Sequence, residues 1–149
     1  MNTRIAKSCL VVSILLCSLF ASVLRADSYV INPSNGQRLY SWDGSFLINP
    51  SNGQRLYRFD GQFIINPRNG QRLYGWRDNH LVNPANGRRL YRWQNPFITN
   101  PANGQRVFRY DGEHVTNPAN NSRIYRIQGY IPIAVIIGIA TGEICIQTN

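Results

Sequence analysis

The chain has 149 residues, 43% of them hydrophobic, and a formal net charge of +9 from 16 basic and 7 acidic side chains. That is enough for one domain with a core, and the basic excess favours anionic partners. A core held by internal disulfides is excluded beyond residue 26, because Cys145 is the only cysteine there.

Residues 1–26 are predicted to be a secretory signal peptide, since two basic residues precede an apolar run over residues 10–24 and Ala26 is a tolerable cleavage site. An uncleaved membrane anchor is the alternative, although this run is shorter than the roughly 20 residues of a spanning helix. Cleavage near Ala26 would give a secreted, periplasmic or extracellular chain with 13 Arg, no Lys and a net charge of about +6.

Residues 27–130 are dominated by a motif that recurs every 17 residues. Ile-Asn-Pro-Ser-Asn-Gly-Gln-Arg-Leu-Tyr, at residues 31–40, returns unchanged at 48–57, with one change at 65–74, and in looser form from Val82, Thr99 and Thr116. Six copies in unbroken register predict one small unit used six times, which is more typical of a binding or structural surface than of an enzyme. Positions in each copy are numbered 1 to 17 from Ile31.

Each copy is predicted to be a β-hairpin. Positions 2–6 (Asn-Pro-x-Asn-Gly) and positions 13–14 (Asp43-Gly44 in the first copy) hold residues that favour turns and positive φ. If position 12 pairs with position 15, positions 8, 10, 12 and 17 share one face, and positions 1, 9, 11 and 16 share the other. Both faces are apolar, which predicts an all-β fold of six tandem hairpins, either stacked face to face or arranged in a closed, propeller-like or flower-like ring.

The two ends of the repeat region suggest closure. Residues 27–31 match the second strand of a hairpin and residues 141–146 loosely match a first strand, so their pairing would close a ring. Residues 131–149 are therefore predicted to be apolar strands that close or cap the repeats, with an oligomer or membrane-insertion surface as the alternative for 131–140. Cys145 lies between two isoleucines and is expected to be buried and inert, with an intermolecular disulfide as the alternative.

Arginine and tyrosine recur at positions 8 and 10 of the repeat. They predict either a cation–π ladder that locks hairpin to hairpin or an array of equivalent sites for a polymer. The residues concerned are Arg38, Arg55, Arg72, Arg89, Arg106, Arg123, Tyr40, Tyr57, Tyr74 and Tyr91.

Less regular residues at positions 11 and 12 are the better candidates for binding. Serine or glycine also occurs at position 11, which indicates exposure, and tryptophan at position 12 could stack on a ligand. The candidates are Arg58, Arg92, Arg109, Arg126, Trp42, Trp76 and Trp93.

No catalytic group, cofactor site or metal site is predicted. His80 and His114 occupy position 16, where other copies have phenylalanine, and they are interpreted as variants of a packing position. No ligand pattern or catalytic constellation recurs.

Residues 52–64, Asn-Gly-Gln-Arg-Leu-Tyr-Arg-Phe-Asp-Gly-Gln-Phe-Ile, resemble the hairpin repeats of bacterial choline-binding and glucan-binding cell-wall modules. The Tyr-x-Trp-Asp-Gly segment is also similar to small bacterial β-flower proteins, whose hairpins surround a pseudo-symmetric axis. The resemblance covers most of residues 31–130 and implies a cell-envelope ligand. Choline itself is not expected, since the position-8 arginine would repel a quaternary amine.

Together these features predict a secreted, non-enzymatic repeat protein that binds an anionic glycan, envelope or similar polymer through arginine and aromatic side chains. The alternative is a structural or protein-interaction module in which the arginine and tyrosine residues serve only packing.

Overall fold

The computed structural model describes residues 27–145, which form twelve β-strands and one α-helix. The predicted signal peptide at 1–26 and the last four residues, 146–149, lie outside the described residues. The elements are β1 Ser28–Ile31, β2 Arg38–Trp42, β3 Phe46–Ile48, β4 Arg55–Phe59, β5 Phe63–Ile65, β6 Arg72–Arg77, β7 His80–Val82, β8 Arg89–Gln94, β9 Phe97–Thr99, β10 Arg106–Tyr110, β11 His114–Thr116, β12 Arg123–Gln128 and α1 Ile133–Ala140.

The twelve strands form a closed antiparallel barrel in which each strand pairs with its neighbours along the chain. β1 completes the ring because it pairs with both β2 and β12, with Tyr29 opposite Gln128 and Ile31 opposite Arg126. The predicted all-β ring of hairpins is confirmed, and the open face-to-face stack is excluded. The partner that closes the ring is β12 of the sixth copy, not the C-terminal segment 141–146.

The Asn-Pro-x-Asn-Gly motif forms the turn at one rim of the barrel, as predicted. In the first copy, Asn32 Oδ1 accepts the Ser34 N–H at 2.9 Å and Asn35 Oδ1 accepts the Gln37 N–H at 3.0 Å. Gly36 has a φ of 72°, a left-handed conformation that glycine adopts without steric cost. The same two side-chain bonds recur in all six copies.

At the other rim, the three Asp-Gly turns are wider than the predicted two-residue turns. Asp43 Oδ1 accepts the N–H groups of Ser45 and Phe46 at 2.8 and 2.7 Å. Trp42 consequently pairs with Leu47, so position 12 lies opposite position 17 and not opposite position 15. The pairing register therefore differs from the expected register by two residues. Because side chains alternate between faces with a period of two, positions 12 and 17 still share a face.

One face of the barrel wall forms the core. The position-17 side chains of the first five copies, and the equivalent Val30 of the half repeat before them, are 0–1% exposed: Val30, Leu47, Ile64, Leu81, Ile98 and Val115. They belong to one cluster with Val135, Ile136 and Ile137 of α1. Eight strands already give an interior that side chains just fill, so a ring of twelve leaves space for a further element. The helix α1 occupies that space.

The predicted strands in the apolar C-terminal region are not present at Ile133–Ala140, which is helical. Its four isoleucines and Val135 favour strands intrinsically, but tertiary context overrides that preference. The helix is apolar around its whole circumference, and residues 134–139 are buried, which is the pattern of a helix surrounded by protein.

Candidate binding surface

A β-bulge in every repeat moves the position-8 arginine to the outer face of the barrel. Between β3 and β4, Leu47 pairs with Tyr57, but the next pair is Ile48 with Arg55, which leaves Leu56 as the extra residue. The same shift occurs in the other five copies. The expectation that the arginine shares a face with positions 10 and 12 is therefore wrong, because one extra residue reverses the side-chain alternation.

Four of the six outward arginines stack on an aromatic ring of the preceding strand. Arg55 Cζ lies 4.2 Å from the centroid of the Phe46 ring, and Arg106 Cζ lies 4.0 Å from that of Phe97. Arg38 on Tyr29 and Arg72 on Phe63 form the same pair at 3.9 and 4.3 Å. The cation–π partner of a position-8 arginine is therefore the aromatic residue at position 16, not the tyrosine at position 10 or the tryptophan at position 12. The recurrence of phenylalanine at position 16 was the sequence signal for it.

The position-11 arginines also lie on the outer face, as predicted. Arg58, Arg92, Arg109 and Arg126 are all exposed. Glu113 Oε1 lies 3.7 Å from Arg126 Nε. Among residues 27–145, Arg126 is the one arginine with a carboxylate oxygen within 4.0 Å. The remaining guanidinium groups of this region are not neutralised by direct ion pairs.

The arginines line grooves at two repeat boundaries, here called the outer grooves. One outer groove is a cavity of about 430 Å³ whose lining includes Phe46, Arg55, Arg58, Ile65, Asn66 and Arg68. A second, at the junction of β12 and β1, is a cavity of about 250 Å³ whose lining includes His114, Arg123, Arg126, Ile31, Asn32 and Glu113. Both grooves are lined by residues at positions 16, 8 and 11 and by positions 1 and 2 of the next copy. The second groove takes positions 1 and 2 from the first copy, so the junction that closes the ring forms the same kind of groove.

The position-10 tyrosines belong to the core instead of the outer grooves. Tyr40 is 8% exposed, and Tyr57, Tyr74 and Tyr91 pack against the core cluster. The Tyr74 hydroxyl donates to Glu143 Oε2 at 2.7 Å and Tyr57 donates to the Cys145 carbonyl at 3.1 Å. Burial raises the pKa of Tyr74, and its bond to Glu143 raises that pKa further. These tyrosines tie the turn after α1 to the barrel wall.

The tryptophan candidates are separated from the arginines. Trp42 is 4% exposed, and Trp76 and Trp93 are half-buried against the core cluster. Trp42 and Trp76 also line a cavity of about 560 Å³ at the mouth of the barrel, beside the exposed Tyr130. The structure thus brings the predicted arginines of positions 8 and 11 together, but it places the tryptophans and tyrosines on the opposite face of the wall.

Other polar groups supply little chemistry within the described part of the chain. No group of three His, Cys, Asp or Glu side chains in residues 27–145 could hold a metal ion. His80 is buried, and its Nδ1 lies 2.7 Å from the Asp78 carbonyl oxygen. Cys145 is exposed, which contradicts the expected buried thiol, because its neighbour Ile144 takes the buried position.

The described residues include no helix with the length and apolar character needed to cross a membrane.

Comparison with known proteins gave no relative for this chain: no protein-family model, no curated protein and no solved structure matched it. The resemblance to bacterial cell-wall and β-flower repeats stays a prediction.

Proposed function

We propose that this protein is a non-enzymatic binding protein for an anionic glycan or similar envelope polymer, which it contacts through the arginines of its outer grooves. The observation that carries the proposal is the set of exposed position-8 and position-11 guanidinium groups on one face of a closed ring. The apolar run and basic start of residues 1–26 support secretion, which would place the protein where such polymers occur.

The charge balance supports an anionic partner. Residues 27–145 contain 13 arginines and 7 acidic side chains, and direct pairing neutralises few of the arginines. A guanidinium presents a planar fork of donors that matches carboxylate, sulfate or phosphate oxygens, and a lysine ammonium does not. The absence of lysine from this region therefore favours oriented contacts with oxyanions over diffuse attraction alone.

The cation–π pairs prepare the position-8 arginines for binding. Stacking of Arg55 on Phe46 holds the guanidinium plane while its N–H edges remain available for in-plane bonds to a ligand. Because this ordering precedes binding, less conformational entropy is lost on association. The same stacking covers one ring face, so position 16 offers a poor platform for nucleobases, which favours a glycan over a nucleic acid.

A structural or protein-interaction role is the second candidate, and the cation–π pairs favour it for position 8. Each pair joins the second strand of one hairpin to the first strand of the next. Such contacts contribute about 0.5–1 kcal/mol each at exposed sites. The position-11 arginines make no such contact among those described, so substituting them distinguishes a binding role from a packing role.

The triple variant Arg58→Ser, Arg92→Ser, Arg109→Ser tests the proposal. Serine is natural at position 11, as Ser41, so the fold should tolerate the change and the melting temperature should move by no more than about 3 °C. Retention on an immobilised anionic polysaccharide at low salt should fall strongly. The variant Arg77→Ser, which removes one charge at the hairpin rim outside the outer grooves, should be retained nearly as well as wild type. Unchanged retention of the triple variant would favour the structural role.

A further inference from the structure

We infer that the outer groove formed by Arg55, Arg58 and Arg68 is a selective site for a sulfate or phosphate ester on the polymer. In this groove such a group would bind in preference to a carboxylate. The inference rests on the proposed function and adds the chemical class of the ligand and the place where it is recognised.

Arg68 sets this groove apart from the other copies. It occupies position 4, where the other five copies have Ser34, Ser51, Ala85, Ala102 and Ala119. Arg55 and Arg58 belong to β4, whereas Arg68 belongs to the turn that follows β5, so arginines line the cavity from two different repeats. The fourth copy also has a third arginine, Arg88, but it directly precedes Arg89 on the same segment of chain.

The lining of the Arg68 groove contains no carboxylate. Gln54 and Asn66 supply its further polar groups, and the cavity of about 430 Å³ has room for an ester group and part of a sugar. The groove at the β12–β1 junction differs both in volume and in the presence of a carboxylate. It is smaller, at about 250 Å³, and Glu113 both lines it and lies 3.7 Å from Arg126. Of these two grooves, the Arg68 groove is therefore better matched to a highly charged anion.

The geometry of the anion explains the preference. A carboxylate has two oxygens in one plane, and a single guanidinium fork can satisfy it. A sulfate or phosphate ester has three terminal oxygens directed away from one another, and a phosphate monoester carries about −1.5 to −2 charge at pH 7. Arginines on two sides of a cavity can meet such a group from different directions. Arg55, held on Phe46, gives the site one fixed fork.

The repeat supplies matched variants for the test. Arg68→Ala recreates the residue of three other copies, so it should fold normally. Ala119→Arg places a third arginine at the position that corresponds to Arg68, one repeat after Arg106 and Arg109. In the fifth copy Arg106 stacks on Phe97 as Arg55 does on Phe46. The double variant Arg68→Ala, Ala119→Arg keeps the net charge of wild type and moves the three-arginine site to another place on the ring.

The probes are a heparin-derived oligosaccharide and its fully desulfated, carboxylate-bearing counterpart of equal length, with affinities measured by titration calorimetry. Wild type should bind the sulfated probe about tenfold more tightly. Arg68→Ala should lose most of that preference while it retains affinity for the carboxylate probe, and the double variant should regain the preference.

Three results would overturn the inference while the proposed function stands: equal wild-type affinity for both probes, no effect of Arg68→Ala, or displacement of the sulfated probe by low millimolar inorganic phosphate, which would indicate a free-anion site. Tighter binding of a single-stranded oligonucleotide than of the sulfated probe would also overturn it. Failure to bind either oligosaccharide would instead count against the proposed function itself.

Discussion

Single aspartates at the hairpin turns organise the backbone around them. Asp111 Oδ1 accepts the N–H groups of His114 at 2.7 Å and Glu113 at 3.0 Å. The bond from His114 is the largest cause of a lowered pKa at Asp111, and together with the bond from Glu113 it outweighs burial, which acts in the opposite direction. Because the ionised carboxylate is the better acceptor, folding favours the charged form.

The stability of this turn should depend on pH. A carboxyl group with a pKa lowered in the folded state stabilises the protein above its unfolded pKa of about 3.9 and loses that contribution as the pH falls through the folded value. Asp111→Asn should therefore lower the melting temperature at pH 7, and the difference from wild type should shrink below about pH 4. Thermal unfolding between pH 7 and pH 2.5 measures this. A difference that stays constant over that range would show that the charge of Asp111 has no role.

Residue identities predicted the turns well but did not predict the bulge. Proline, asparagine and glycine at positions 3, 5 and 6 have few alternative conformations, so their turn could be inferred directly. Leu56, the extra residue of one bulge, has nothing unusual in its side chain, and the register shift it causes depends on pairing with β3. For that reason the face of Arg55 was predicted wrongly, although the recurrence of arginine at position 8 was clear.

At the scale of elements, the twelve strands followed from the sequence and the helix did not. Each strand is short and bounded by turn residues, which local patterns reveal. The helix α1 has no polar face and no capping side chain, so nothing local separates it from a buried strand. Its conformation depends on the width of the barrel, which is a property of all twelve strands together.

If α1 fills the barrel, a charge within it should be severely destabilising. Ile137 is fully buried in the core cluster, so Ile137→Asp removes apolar burial and places an unpaired carboxylate in the interior. The expected cost is about 3 kcal/mol or more, measured by chemical denaturation. Tyr130→Ser, at a side chain that is 77% exposed just before α1, should change stability by less than about 0.5 kcal/mol. Equal, small effects of both changes would mean that the helix does not support the barrel.

At the scale of the whole molecule, closure arranges the outer arginines in a continuous series around the ring. Each repeat contributes two strands about 4.8 Å apart, so equivalent arginines recur roughly every 10 Å around the wall. A flexible linear polymer can follow such a curved surface and contact several arginines, and its affinity then rises through effective concentration. A flat surface meets fewer of them at once, so the arrangement favours a soluble or loosely attached polymer.

Closure itself was partly predictable. The half repeat at residues 27–31 is a second strand without a first strand before it, which indicated that it pairs elsewhere, and β1 does complete the ring. The choice of partner was not predictable, because residues 141–146 and β12 both offer a first-strand pattern. Only the path of the chain through α1 decides between them. The arginines and the tryptophans lie on opposite faces because of the bulge, so their separation could not be predicted from the sequence either.

If the outer arginines bind an anionic polymer, the affinity should depend strongly on salt concentration. The dissociation constant for a sulfated polysaccharide would be measured from about 50 mM to about 500 mM NaCl, a range over which the screening length falls severalfold. Over this range wild-type affinity should fall at least about tenfold, and the triple variant of Arg58, Arg92 and Arg109 should show weaker binding with a shallower salt dependence. Wild-type affinity that is independent of salt, or identical salt dependence in the variant, would mean that these arginines do not bind the polymer.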